Sequence, residues 1–197
     1  DMRSAQVMWN SKYKGRVAVY DYYFPTMQLI AISMGIHPDN ISMDDLPKIR
    51  EKLLAMKPNV KMVGDVVSVQ NALVNGDVDM IINGAEFVVS GLMPTMPQLD
   101  WTIFDEGGLM WIQGLCIFKD SKNKDLASDF IQHILSPKGQ GLLATSDCYW
   151  AMPANSKTIL SGAEKKILRW DEQPAFLERS VPSAISNPDV DAEMLDI

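Results

Sequence analysis

Few residues in this 197-residue chain can do covalent chemistry, and those that can stand apart from one another. There are two histidines, His37 and His133, and two cysteines, Cys116 and Cys148, with no Ser-His-Asp or Cys-His arrangement legible among them. The acidic pair Asp105-Glu106 sits beside a Gly-Gly turn without a partner base, so general acid–base work has no second group to share it. A structural zinc site needs about four N or S ligands at paired spacings, which these scattered residues do not supply. Of the 13 methionines, Met56, Met62, Met80 and Met110 fall in core-like positions, and no spacing argues for copper. What remains is a set of mostly aromatic and amide side chains, Asp21-Tyr22-Tyr23, Asn83-Gly84, Trp111 and Gln113, and Tyr149-Trp150, of which the first two groups stand at strand ends where ligands gather. Aromatic faces, amides and hydroxyls of this kind hold a small molecule by stacking, cation–π contact and hydrogen bonds. Each has a plainer reading: strand-end aromatics on the surface for the tyrosines, a strand-to-helix turn for Asn83-Gly84, and a core residue for Trp111.

The elements that must position these residues alternate short apolar strands with amphipathic helices. "GRVAVYD" (15–21) reads as a strand ending in Asp21, and "PTMQLIAISMG" (25–35) as a helix with Pro25 in its first turn and Gly35 at its end. "SMDDLPKIREKLLAM" is a helix with Ser42 as N-cap, and Leu46, Ile49, Leu53 and Met56 recur at helical spacing. "VKMVG" (60–64) is a strand, "SVQNALVNG" (68–76) a helix capped by Ser68, and "VDMIING" (78–84) a strand ending at Asn83-Gly84. "AEFVVSGLM" (85–93) is a helix. "FDEGGLMWIQGLCIF" (104–118) reads as a long strand, and 123–147 as a helical hairpin whose second helix starts at Pro137. "CYWAMPAN" (148–155) is a loop, and "SGAEKKILRWDEQ" and "PDVDAEMLDI" are polar-faced helices. A βαβα order implies an α/β sheet with helices on its faces, and ligands of such sheets gather beyond the carboxyl ends of the strands. Asp21-Tyr22-Tyr23 and Asn83 lie at two such ends.

Hydrophobic residues make up 47% and charged residues 22%, enough for a real core in one large domain or two small lobes. The net charge of −7 disfavours nucleic acid or an anionic membrane as partner, since either needs a basic patch. No apolar run reaches the ~18 residues a membrane-spanning helix requires. Cys116 and Cys148 allow a disulfide in an oxidising compartment or two small buried thiols.

Five stretches in this order, "WNSKYKGRVAVYD", "NGDVDMIINGAEF", "EGGLMWIQGLCIF", "NKDLASDFIQHILSPKGQGLLA" and "CYWAMPAN", resemble the bacterial extracytoplasmic solute-binding proteins of ABC transporters, nearest the spermidine/putrescine-binding branch. The resemblance implies a periplasmic-binding-protein-like fold of type II, with 10–112 and 156–197 in the second lobe and 113–155 in part of the first. It also implies that an N-terminal segment of the first lobe precedes this chain. The 104–118 strand would cross between lobes, with Trp111 and Gln113 facing the cleft from one strand face and Leu115, Ile117 and Phe118 in the core. The ligand set it implies is Asp21, Tyr22, Tyr23, Asn83, Glu86, Trp111, Gln113, Tyr149 and Trp150.

The family's acidic positions fall here on Tyr22, Pro25 and Gln113, and a family tryptophan on Ile82. A buried ammonium without a carboxylate is costly, so a neutral or weakly cationic solute fits these residues better than spermidine, unless Asp21 and Glu86 substitute. The resemblance further implies a non-enzymatic carrier with no cofactor, ABC permease membrane subunits as partners, and a periplasmic or extracytoplasmic place, lipid-anchored in a Gram-positive cell. A metal (iron) carrier and a solute-sensing receptor subunit are the alternatives on the same fold.

Overall fold

The computed structural model describes residues 2–84, 86–146, 150–183 and 187–197. The chain forms two compact units: one of Asp1–Gly84, Thr102–Trp111 and Pro174–Ile197, the other of Ala85–Trp101 and Ile112–Gln173. Residues 85–101 and 156–173, expected beside 10–84, group with 112–155.

In the first unit, strand β1 (Val17–Tyr20) is followed by helices α1 (Tyr23–Ser33) and α2 (Leu46–Met56). Strand β2 (Val60–Gly64), helix α3 (Val66–Val74) and strand β3 (Met80–Ile82) complete a parallel sheet in the order β2-β1-β3. Val19 lies opposite Val63 on one side and Ile82 on the other. Val17 and Val19 join a core cluster with Met27, Ile30 and Ala31 of α1 and Leu46, Ile49 and Met56 of α2. Ala18, fully buried, points to the opposite face, and α3 packs on β1. Burying each Ile, Val or Met of such a cluster stabilises the fold by roughly 1.5–3 kcal/mol.

The helical spacing of Leu46, Ile49, Leu53 and Met56 is thus the core-facing stripe, with Leu53 partly buried against the cluster. Gly35 takes a φ of 76° just beyond α1, where the chain needs a left-handed residue to leave the helix.

Two expected caps are corrected. Asp45, not Ser42, precedes α2, and its carboxylate accepts from both the backbone N–H and the hydroxyl of Ser42. Asp65, not Ser68, caps α3 by accepting from the Ser68 N–H at 2.9 Å. In both turns the serine is the donor, its N–H and hydroxyl bonding an aspartate carboxylate three residues away.

The N-terminal residues belong to the same core. Ala5, Val7 and Met8 are buried, and Asn59, itself buried, donates its amide to Met8 O at 2.9 Å and Asn10 O at 3.0 Å.

The second unit contains helices α4 (Phe87–Ser90), α5 (Lys124–Leu135), α6 (Pro137–Ala144) and α7 (Gly162–Ile167). The α5–α6 hairpin matches the expected one, and Ser136 caps α6 from the Gly139 N–H at 3.0 Å with Pro137 at its start. Ser161 and Glu164 close a reciprocal capping box on α7. Trp101 packs nearby: its Nε1 donates to Ile167 O at 2.9 Å, and the Arg169 guanidinium donates to Trp101 O at 2.6 Å.

Back in the first unit, helix α8 (Gln173–Glu178) leads to strand β5 (Ser180–Pro182), which pairs in parallel with strand β4 (Gly108–Met110), and helix α9 (Pro188–Met194) packs on α1.

The 104–118 stretch is not the long strand expected. Only Gly108–Met110 pairs, and 111–118 has no regular structure. Leu115, Ile117 and Phe118 are exposed rather than core, Phe118 at 88%, and Cys116 is exposed rather than a buried thiol. Cys148, the other cysteine of the possible disulfide, lies outside the described residues. On α5, Leu126, Phe130 and Leu135 are exposed too. Exposed apolar surface of this extent favours association. We expect the chain to self-associate at high concentration, and Phe118→Asp with Phe130→Asp to shift sedimentation towards the monomer. A clean monomer of the unaltered chain at the same concentration would count against the lobe assignment.

Candidate ligand-binding site

The carboxyl end of β1 is where the first unit gathers its expected residues. Asp21 N donates to Gly64 O at 3.0 Å, the last link of β1 to β2, and Tyr22 N then turns back onto Tyr20 O at 2.8 Å. That tight turn ends the strand and makes Tyr22 the residue before α1. Its ring is half exposed (52%) and lies edge-on to those of Tyr20 and Tyr23, with centroids 6.4 Å apart in both pairs. The Asp21 side chain is exposed beside it.

Tyr23 differs from the expectation. It is the first residue of α1 and partly buried, and its hydroxyl donates to Asp191 Oδ1 on α9 at 3.1 Å. Burial and that carboxylate push its pKa up, so the phenol stays protonated. It ties two helices together.

Asn83, after β3, reaches the same place from the neighbouring strand. Its φ is 61°, a left-handed conformation that asparagine tolerates better than other residues with a Cβ. Its amide donates to Thr26 Oγ1 at 2.8 Å and to Tyr22 O at 3.2 Å. The structure thus brings Asp21, Tyr22 and Asn83 together, with the Asn83 amide already engaged by protein groups.

Trp111 ends the first unit just past β4 with 66% of its surface exposed. In the second unit Gln113 is exposed in irregular chain, so the shared strand face expected for it and Trp111 does not exist. Glu86 accepts from the Met152 N–H through Oε1 at 3.1 Å, which places the 150–152 loop against the start of α4. Trp150 in that loop is partly buried, within van der Waals reach of Gly91. Tyr149 lies outside the described residues.

Sequence reasoning missed what Glu106 does. Its Oε1 accepts from Ser4 Oγ at 2.6 Å and its Oε2 from the Ala5 N–H at 2.9 Å, so it caps the N-terminal turn of the chain. Nothing local in the sequence links residues 4 and 106. The adjacent Gly107 has a φ of 133°, and a Cβ there would press to 3.1 Å on Arg179 O and on Ile32 Cγ2. The close approach at this turn is therefore made to the protein's own chain. Two cavities of the first unit include none of the expected residues. One, of about 20 Å³ between α1 and α9, has room for little more than a water molecule. The other is an open groove of about 340 Å³ between α2 and α9. Among the described residues no three His, Cys, Asp or Glu gather as a metal site would need.

Burial raises the Glu106 pKa, but the hydrogen bonds from Ser4 and Ala5 together outweigh it and hold the carboxyl below its ordinary 4.5. A carboxyl whose folded pKa is depressed adds stability above its unfolded pKa and loses it as pH falls through the folded one. We expect Glu106→Gln to be less stable than the parent at neutral pH and to lose less between pH 4.5 and lower values. Equal acid sensitivity of the two in denaturant melts would show that this cap contributes nothing.

Comparison with known proteins places this geometry. The bacterial extracellular solute-binding protein family matches residues 2–175. The spermidine/putrescine-binding periplasmic proteins of Escherichia coli (strain K12) and Salmonella typhimurium are each 26% identical over 132 residues, 66% of this chain and 37% of theirs. This chain therefore spans little more than a third of the curated relatives it matches. Among solved structures, a spermidine/putrescine ABC transporter substrate-binding protein of Streptococcus pneumoniae aligns with a TM-score of 0.77 at 16% identity, over 98% of this chain and 59% of that one. The TpPotD lipoprotein of Treponema pallidum gives 0.72 at 17%, over 98% and 60%. Those structures share the α/β fold of periplasmic binding proteins, as the resemblance of the sequence implied. With its family's pattern matched over most of its length, this chain belongs to the bacterial extracellular solute-binding proteins.

Proposed function

We propose that this chain is part of the substrate-binding component of an ABC transporter, which captures a small organic solute and presents it to permease subunits in the membrane. The family and the names of its relatives support the carrier reading. The observation that carries the solute class is the half-exposed Tyr22 ring at the carboxyl end of β1, beside the exposed carboxylate of Asp21. A π face next to a carboxylate attracts a cationic or weakly cationic group, and the net charge of −7 favours approach of cations. The solute is polyamine-like or another small organic compound with such a group. Tyr22 offers an aromatic face rather than a charge, so within this unit a polyamine would rely on Asp21. Exposed Trp111, at the end of the same unit, is a further proposed contact, and Glu86, Gln113 and Trp150 of the second unit are candidate contacts in their own right, while Tyr23 is held by Asp191.

A thermal-shift screen of the full-length protein against spermidine, putrescine, amino acids, thiamine-like cations, sugars and small anions tests this. A ligand at a hundred times its Kd stabilises the folded state by about 2.7 kcal/mol. We expect a cationic solute to raise the melting temperature without turnover, and Tyr22→Ala or Trp111→Ala to abolish most of the shift. No shift from any solute on folded protein would retire the carrier reading for these classes, and product formation would make the protein an enzyme.

A further inference from the structure

The groups around Tyr22 form a closed set of hydrogen bonds that neither the core nor a direct solute contact explains. Thr26 Oγ1 donates to Tyr22 O at 2.9 Å. The Asn83 amide donates to that same carbonyl at 3.2 Å and to Thr26 Oγ1 at 2.8 Å. Three groups from three places in the chain, the end of β3, the first turn of α1 and the residue before α1, thus meet at one carbonyl oxygen. Thr26 is buried, which shields its bonds from competition by water. The φ of 61° at Asn83 is what turns its amide towards α1, since an extended residue there would continue the strand.

Tyrosine is a poor residue to begin a helix, and Tyr22 makes no side-chain capping bond. The Tyr22 N–H is held by Tyr20 O at 2.8 Å, and the bonds from Asn83 and Thr26 to its carbonyl add a second restraint on the backbone that carries the ring. The ring is limited on either side by the edges of Tyr20 and Tyr23, and the backbone beneath it is held by Asn83 and Thr26.

We propose that Asn83 and Thr26 are positioning residues that fix Tyr22 as a preformed stacking platform. Asn83 then acts on the solute through Tyr22 rather than by touching it. The inference rests on the reading of Tyr22 as a solute contact, and it reassigns Asn83 within that reading. The thermodynamic logic is preorganisation: a ring already held in place loses less freedom when a solute settles on it.

The test has two arms. In the first, a fluorotyrosine is placed at position 22 of this chain and its fluorine NMR signal is compared across four variants, with no solute present. Asn83→Gly accepts the positive φ but has no amide, Asn83→Asp keeps the size but cannot donate, and Thr26→Val keeps the shape without the hydroxyl. Each is expected to sharpen the signal and move it towards that of the free amino acid. Thr26→Ser, which keeps the hydroxyl, should leave it as in the parent. In the second arm, spermidine is titrated calorimetrically into the same variants of the full-length protein without the label. Loss of one or two restraining hydrogen bonds is expected to raise Kd roughly five- to tenfold for the first three and not for Thr26→Ser.

A fluorine signal unchanged in Asn83→Gly, Asn83→Asp and Thr26→Val would overturn the positioning role. Spermidine binding unchanged in Tyr22→Ala would instead overturn the contact reading, while the fluorine arm still judged the clamp. The two failures are therefore distinguishable.

Discussion

A strand with no exposed face must be paired along both edges and covered on both sides, and β1 meets that constraint for the first unit. Val17, Ala18 and Val19 are all buried, and β2 and β3 flank them in parallel register. Because a buried backbone polar group without a partner is costly, β1 cannot slide by a residue without breaking two ladders and reversing its faces. The valines would leave the α1–α2 core, and Ala18, small enough for α3 to approach, would be replaced by a bulkier neighbour. The same register sets the turn at Tyr22, the start of α1 and the position of Asn83 beyond β3. Packing and the proposed site therefore depend on the same few residues.

The elements carried by that sheet were legible because their signals were periodic. Leu46, Ile49, Leu53 and Met56 had one reading as a buried helical stripe, and short Val-rich runs ending in polar residues read as strands of an α/β sheet. What misled was apolar sequence without period. Residues 104–118 have the composition of a strand, yet only three pair, and the exposed Leu115, Ile117 and Phe118 have no cover within their own unit that composition could have revealed. Strand β5 was missed for the opposite reason: Ser180-Val181-Pro182 is too short and too Pro-bound to signal, and exists because β4 offers it an edge.

The site was legible in residue type and only partly in role. Strand-end position marked Asp21, Tyr22 and Asn83. Which way each side chain would be used depended on partners distant in sequence, such as Asp191 for Tyr23 and Ser4 for Glu106. No local pattern encodes such pairs. The glycine pair shows the same limit: the need for a special backbone at Gly107 was readable, but its cause, close packing on Arg179 and Ile32, was not.

The central claim is that the carboxyl end of β1 is the face that meets solute. Titrating an isotope-labelled chain with spermidine and following its backbone amides by NMR tests this most directly. The largest shifts are expected at residues 21–24 and at Asn83. Shifts confined to the α2–α9 groove, around Arg50, Glu193 and Asp196, with β1 unmoved, would contradict it.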